Sequence, residues 1–282
     1  MTSGKKRRKG PPVAAKPKRC FFCGAEGPLT QEHVLPDWLR HLGFKGTGVR
    51  ELVQDSDVPI IQQGGAFSKT LKIVCADCNN VWMSAMEDDA KPVLLSMFQA
   101  AATGKQTMLD SSAQLALARW AFKTAAVMTQ LSARTARTFP AAHASSFRGS
   151  DRIPENIQVW LSAAVVTPTT RGDHAAQFRY QPYKTDVKAG EASYSGSGYQ
   201  IFVRLFNVVF YIFGFESTWR LTGELPDDLK KALLSIWQPE HPKLWWPPSS
   251  TLDDFGGIDG LAKALAPTGL PTLVQGHGPS AT

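Results

Sequence analysis

All four cysteines of the 282-residue chain fall in two close pairs, Cys20 and Cys23 in "CFFC" and Cys75 and Cys78 in "CADC". Two Cys-x-x-Cys knuckles that use the whole cysteine complement have the spacing of a four-thiolate zinc site. Between them, "LTQEHVLP" sets Glu32 beside His33, and Asn79 directly follows the second knuckle. An imidazole can take a proton from water near neutral pH. Carboxylate and amide oxygens suit Mg2+ or Mn2+ better than zinc. Neighbouring side chains of an extended segment point to opposite faces, so a bend at the strand end is needed to bring Glu32 and His33 to one site. Asn79 stands at the expected start of a helix, "NNVWMSAMEDDA", where free backbone N–H groups would seat a phosphate. The plainer role for Asn79 is a helix N-cap. Trp82, Met83 and Met86 read as core contacts of that helix.

The elements that must hold these residues follow along the chain. Residues 1–19 carry eight Lys or Arg and no acid, including the run Lys5, Lys6, Arg7, Arg8 and Lys9. The chain's net charge is +7, so the remainder is close to neutral. This segment reads as a disordered basic arm that adds salt-sensitive affinity for a polyanion, or simply as a solubilising tail. Residues 20–90 form the expected zinc module. Residues 91–248 read as an α+β accessory domain. Within it "SAQLALARWAFKTAAVMTQLSA" places Leu117, Trp120, Ala121, Thr124, Val127, Met128 and Leu131 on one helical face, with Ser111 or Ser112 as cap. Strands are expected in "NIQVWLSAAVV", "AAQFRYQPY", "YQIFVRLF" and "VVFYIFGF", the last two forming a hairpin that turns near Asn207. A short helix is expected in "DDLKKALLSIW". Residues 249–282 read as a Pro/Gly-rich tail, preceded by "LWWPP" as a packing strap.

Composition narrows the class. A hydrophobic fraction of 43% and a charged fraction of 20% describe a globular chain. The basic start leads into Gly-Pro-Pro instead of an apolar run, so no signal peptide is expected. The most apolar stretch is broken by Gln200, Arg204 and Asn207 and falls short of the roughly 20 residues of a membrane helix. A cytoplasmic protein with reduced thiols is the expectation.

The pattern "C-x-x-C … LTQEHVLP … LKIVCADCNN", over roughly a quarter of the chain, resembles the HNH endonuclease family in its four-cysteine variant, as found in bacteria and phages. The resemblance implies an N-terminal zinc-stapled ββα-metal module, treble-clef-like; with the helical segment and antiparallel-sheet-containing body read from the patterns above, the expected fold class is α+β. It implies that Cys20, Cys23, Cys75 and Cys78 bind one structural Zn2+. By the same resemblance His33 is the general base, Glu32 and Asn79 hold a catalytic Mg2+ or Mn2+, and the substrate is nucleic acid, DNA before RNA. Three positions depart from the family pattern: Glu32 stands where Asp is common, Thr70 where a central Asn is usual, and Trp82 where many members have Lys. Two other functions fit the same residues. One is a zinc-stabilised nucleic-acid-binding protein whose nuclease site has decayed. The other is a partner-binding protein whose zinc module is structural. No internal repeat and no second catalytic motif is present.

Overall fold

The computed structural model describes residues 18–42, 48–53, 60–63, 67–165, 176–189, 192–216 and 225–265. The basic arm at Lys5, Lys6, Arg7, Arg8 and Lys9 lies outside them. The fold is α+β. Strand β1 (Thr30–His33) pairs antiparallel with β4 (Thr70–Val74), and the chain passes from β4 through the second knuckle into helix α1 (Ser84–Thr103). Between β1 and β4 the chain contributes β2 (Gly48–Val53) and β3 (Ile60–Gln63) to a different sheet. That sheet also contains β6 (Ile157–Ala163), β7 (Ala176–Ala189), β8 (Ala192–Leu205), β9 (Val208–Phe215) and β10 (Leu234–Trp237). Its seven strands run in the order β10-β6-β9-β8-β7-β2-β3. Every neighbouring pair is antiparallel except β2–β7, which is parallel. Thus the expected 20–90 module lends two strands to the sheet of the following segment.

Helix α2 (Ser111–Met128) is the centre of the molecule, and the short α3 (Ala133–Thr138) follows it. From Leu117 to Met128 nearly all of its residues are buried, because it is packed on several sides and not on one stripe. Its cap is Asp110, whose carboxylate accepts from the Ala113 amide, and not Ser111 or Ser112. Asp110 wins because it is the last extended residue before the helix, where a side-chain oxygen can reach the free N–H groups of the first turn. Asp110 ends β5 (Thr107–Asp110), which pairs with β11 (Lys243–Trp246). The "LWW" strap therefore closes as a two-stranded ribbon, with Trp246 fully buried and Trp245 exposed.

The β8–β9 hairpin turns at Phe206–Asn207, as the sequence pattern requires. Both of its faces are covered, which explains why its apolar run is nearly continuous instead of alternating. On one face Ile201, Val203, Phe210 and Ile212 meet the core that also holds α1, α2 and α4 (Ala141–Ser150). On the other, Phe202, Tyr211 and Trp160 stack at 4.7 and 5.0 Å between ring centres. This second layer is closed by α5 (Asp227–Lys230) and α6 (Gly257–Ala264), through Leu229, Ile258 and Leu261. Helix α6 belongs to the segment read as a tail. The helix expected over "DDLKKALLSIW" stops at Lys230, and Leu234–Trp237 is a strand instead. Ile236 faces the core and the backbone pairs with β6, a non-local partner that outweighs the local helical pattern. Among the described residues no helix is long and apolar enough to cross a membrane.

Candidate functional site

The cysteines come together. Their four sulfurs lie within 4.8 Å of one another, and Cys23 and Cys75 are 3.6 Å apart. Zn–S bonds of about 2.3 Å in a tetrahedron put sulfurs about 3.8 Å apart, so the cluster can hold a zinc ion. The first knuckle turns through Gly24, whose φ of +71° is open to glycine at little cost. The Gly24 amide donates to Cys20 O, and the Phe21 amide donates to Ile73 O on β4, which fastens the first knuckle to the second. Burial acts to raise the Cys20 thiol, but amide N–H groups of Cys23, Cys75 and Phe22 outweigh it and hold the thiol at about 7. Burial pushes the Cys23 and Cys78 thiols up. Four sulfurs this close cannot all ionise without a cation among them, and a bound zinc would supply that cation and displace the protons.

The helical rise begins at Ala76, inside the second knuckle and earlier than the sequence pattern implies, and passes through a π-type turn over Cys78–Met83. Asn79 is therefore inside the first turn. Its backbone N–H already donates to Cys75 O, so it is neither an N-cap nor a free amide for phosphate. Its side chain instead reaches β1: Nδ2 donates to Gln31 O at 2.9 Å and to Thr30 Oγ1 at 3.0 Å. Both bonds use the amide nitrogen, so the amide oxygen is the atom left for a cation.

On β1, Glu32 is buried and His33 half-buried, in keeping with strand alternation. His33 is the last residue of the strand, and the chain bends at Val34–Leu35 just beyond it. Its register partner is Thr70, whose hydroxyl donates to Gln31 Oε1 at 3.1 Å. Glu32 turns inward to Lys123 on α2, with Nζ 3.5 Å from Oε1. Lys123 is completely buried and also bonds Glu87 on α1 at 2.8 Å. Burial raises the pKa of Glu32, Lys123 opposes that rise, and the Glu87 charge adds to it. Lys123 and Glu87 were not anticipated from the sequence. The available signal was a lone charge inside the apolar run "WAFKTAAVM", which needs an opposite charge wherever the run is buried.

Trp82 is held on three sides. Its ring meets Phe22 and Phe147 edge-on at 5.2 and 5.0 Å, and its Nε1 donates to Asp151 Oδ1 at 2.6 Å. Met83 and Met86 are buried beside it, so all three residues are core contacts, as expected. Comparison with protein-family models, with curated proteins and with solved structures returns no match.

Proposed function

We propose that the chain is a metal-dependent endonuclease of the HNH type that hydrolyses phosphodiester bonds in nucleic acid, DNA before RNA. The observation that carries this reading is the seating of Asn79 on β1, 48 positions away from Gln31 in sequence, beside the Glu32–His33 pair. Two antiparallel strands, a four-sulfur staple and a helix are the parts that the family resemblance calls for, and they are adjacent here.

Glu32 and Asn79 offer hard oxygen donors that fit Mg2+ or Mn2+. Bound there, the ion supplies charge stabilisation to the scissile phosphate and its leaving oxygen. His33, at the strand end, takes the proton from the attacking water. Lys123 holds the Glu32 carboxylate from the inner side, through Oε1. The sulfur cluster keeps β4 and the Asn79 turn against β1, a structural role for one zinc per chain.

One observation favours a second reading. The Lys123 ammonium already places a cation on Glu32, which lowers the demand for a divalent ion. On that reading the chain is a zinc-stabilised nucleic-acid-binding protein with a decayed nuclease site. Supercoiled plasmid incubated with zinc-loaded protein separates the two. Nicking that requires added Mg2+ or Mn2+ supports the endonuclease. Retarded but uncut plasmid moves the conclusion to the binding protein.

A further inference from the structure

Lys123 is shared unequally between its two acids. Its ammonium lies 2.8 Å from Glu87 Oε1 on α1 and 3.5 Å from Glu32 Oε1 on β1. The shorter contact is a charge-assisted hydrogen bond, which usually spans about 2.7–2.9 Å. The longer one is an ion pair outside that range. The side chains of Lys123, Glu32 and Glu87 are 0%, 6% and 24% exposed, so water screens the group poorly and each charge counts. A single ammonium facing Glu32 alone would cancel the carboxylate, and a divalent ion would then meet a site with no net charge. Two ionised carboxylates facing one ammonium keep one negative charge in the group. Glu87 is the second carboxylate, and its bond holds the ammonium on the α1 side. It follows Asn79 along the same helical rise, so one element carries both residues.

We infer that Glu87 is a positioning residue for a divalent ion at Glu32 and Asn79: it holds the Lys123 ammonium through the shorter bond and so keeps the Glu32 carboxylate available to the ion. The inference rests on the metal-dependent reading above. It also meets the observation that favours the second reading, because the cation placed on Glu32 is one that Glu87 already engages more closely. Three elements cooperate in this arrangement: β1 brings the ligand, α2 the ammonium and α1 the acid that restrains it. Groups behind a metal ligand fix its orientation and its basicity, and their removal typically lowers metal affinity about tenfold to a hundredfold. Glu87 acts here through the charge of Lys123 and not by touching the ion. Its effect should therefore vanish when Lys123 is removed as well.

The test is Mn2+ binding to full-length zinc-loaded protein, read from the paramagnetic resonance signal of free Mn2+, which requires no turnover. Wild type should bind Mn2+ at one site. Glu87→Gln keeps the size and an acceptor oxygen but removes the charge, and it should bind about tenfold more weakly. Glu87→Asp keeps the charge and should bind much as wild type does. Glu87→Gln combined with Lys123→Met removes both charges, leaves Glu32 with its own, and should return the affinity towards wild type. Zinc content and melting curves establish that each variant is folded before titration. Equal Mn2+ affinity of Glu87→Gln and wild type would overturn the inference. A double variant as weak as Glu87→Gln would also overturn it, because Glu87 would then be a direct ligand or a strut. Either result leaves the endonuclease reading standing. Zinc-loaded wild type that binds no Mn2+ would overturn that reading and this inference together.

Discussion

Lys123 and Arg204 are both buried cations, and the two regions that hold them satisfy their charge differently. Arg204, within the large sheet, donates to the carbonyl oxygens of Phe206 and Val165 at 2.8 and 3.1 Å. Burial pulls its pKa down, with Asp253 opposing. Its partners are backbone carbonyls of the hairpin turn and of the segment just after β6. Lys123, under the knuckles, is held instead by the two carboxylates of Glu32 and Glu87. The sheet is thus an apolar body with a few self-satisfied polar atoms, whereas the knuckle region is pinned by charges, sulfurs and an amide drawn from distant parts of the chain. The second region should therefore be destabilised by loss of a single polar side chain, of a kind that the sheet would tolerate.

The largest expected break in that contrast is Cys75→Ser. Removing one thiolate from a structural zinc site forfeits metal-coupled folding energy on the order of 10 kcal/mol in small zinc modules. Elemental analysis should find about one zinc in the wild type and none in the variant, and limited proteolysis should cut the variant within 20–90 while the β6–β9 region stays protected. Equal zinc content in both proteins would remove the sulfur cluster from the account.

Lys123→Met comes next. It leaves Glu32 and Glu87 buried near each other without a counter-charge, a situation that costs about 3–5 kcal/mol. Urea unfolding at neutral pH reads this loss directly, and adding Glu87→Gln to the variant should recover part of it. A midpoint unchanged from wild type would show that the ammonium contributes nothing to the pinning.

A smaller effect comes from the sheet side. His143 on α4 is 5% exposed and bonds Tyr199 Oη through Nδ1 at 2.9 Å. Burial lowers its pKa from 6.5 to about 4. The unfolded chain therefore takes up the proton first as the pH falls. Stability from this residue is complete above about pH 6.5, declines towards pH 4, and is flat below that, a total of about 3 kcal/mol. Denaturant midpoints of His143→Gln against pH should lose this slope. Parallel pH profiles for the variant and the wild type would contradict the assignment.

How much of this was legible depends on whether the signal was local. The Cys-x-x-Cys spacing and the apolar period from Leu117 to Met128 are local, and both are present as read. The hairpin at Asn207 was legible because two apolar runs flank a single polar turn. Lys123 was hidden because its acids sit 36 or more positions away, where no periodicity points. Leu234–Trp237 reads as helix because the preceding "DDLKKALL" is a strong local pattern, while its β6 partner is far off in sequence. Helix α6 was masked by the glycines of "GGIDGLAKAL", although Ile258, Leu261, Ala262 and Leu265 keep helical spacing on the buried side. For the site, the sequence names Glu32, His33 and Asn79, but not that Asn79 spends its nitrogen on β1 or that Glu32 faces a lysine.

The central claim is that His33 acts on a phosphodiester while the cysteines and Lys123 only build its setting. The direct measurement is plasmid nicking by wild type and His33→Ala, prepared side by side, with equal zinc content, in Mn2+. Loss of a general base typically costs about a hundredfold to ten-thousandfold in rate. The account predicts a fall of that size with unchanged zinc content and unchanged DNA retention. Equal nicking by the two proteins, or none by the zinc-loaded wild type, would contradict it.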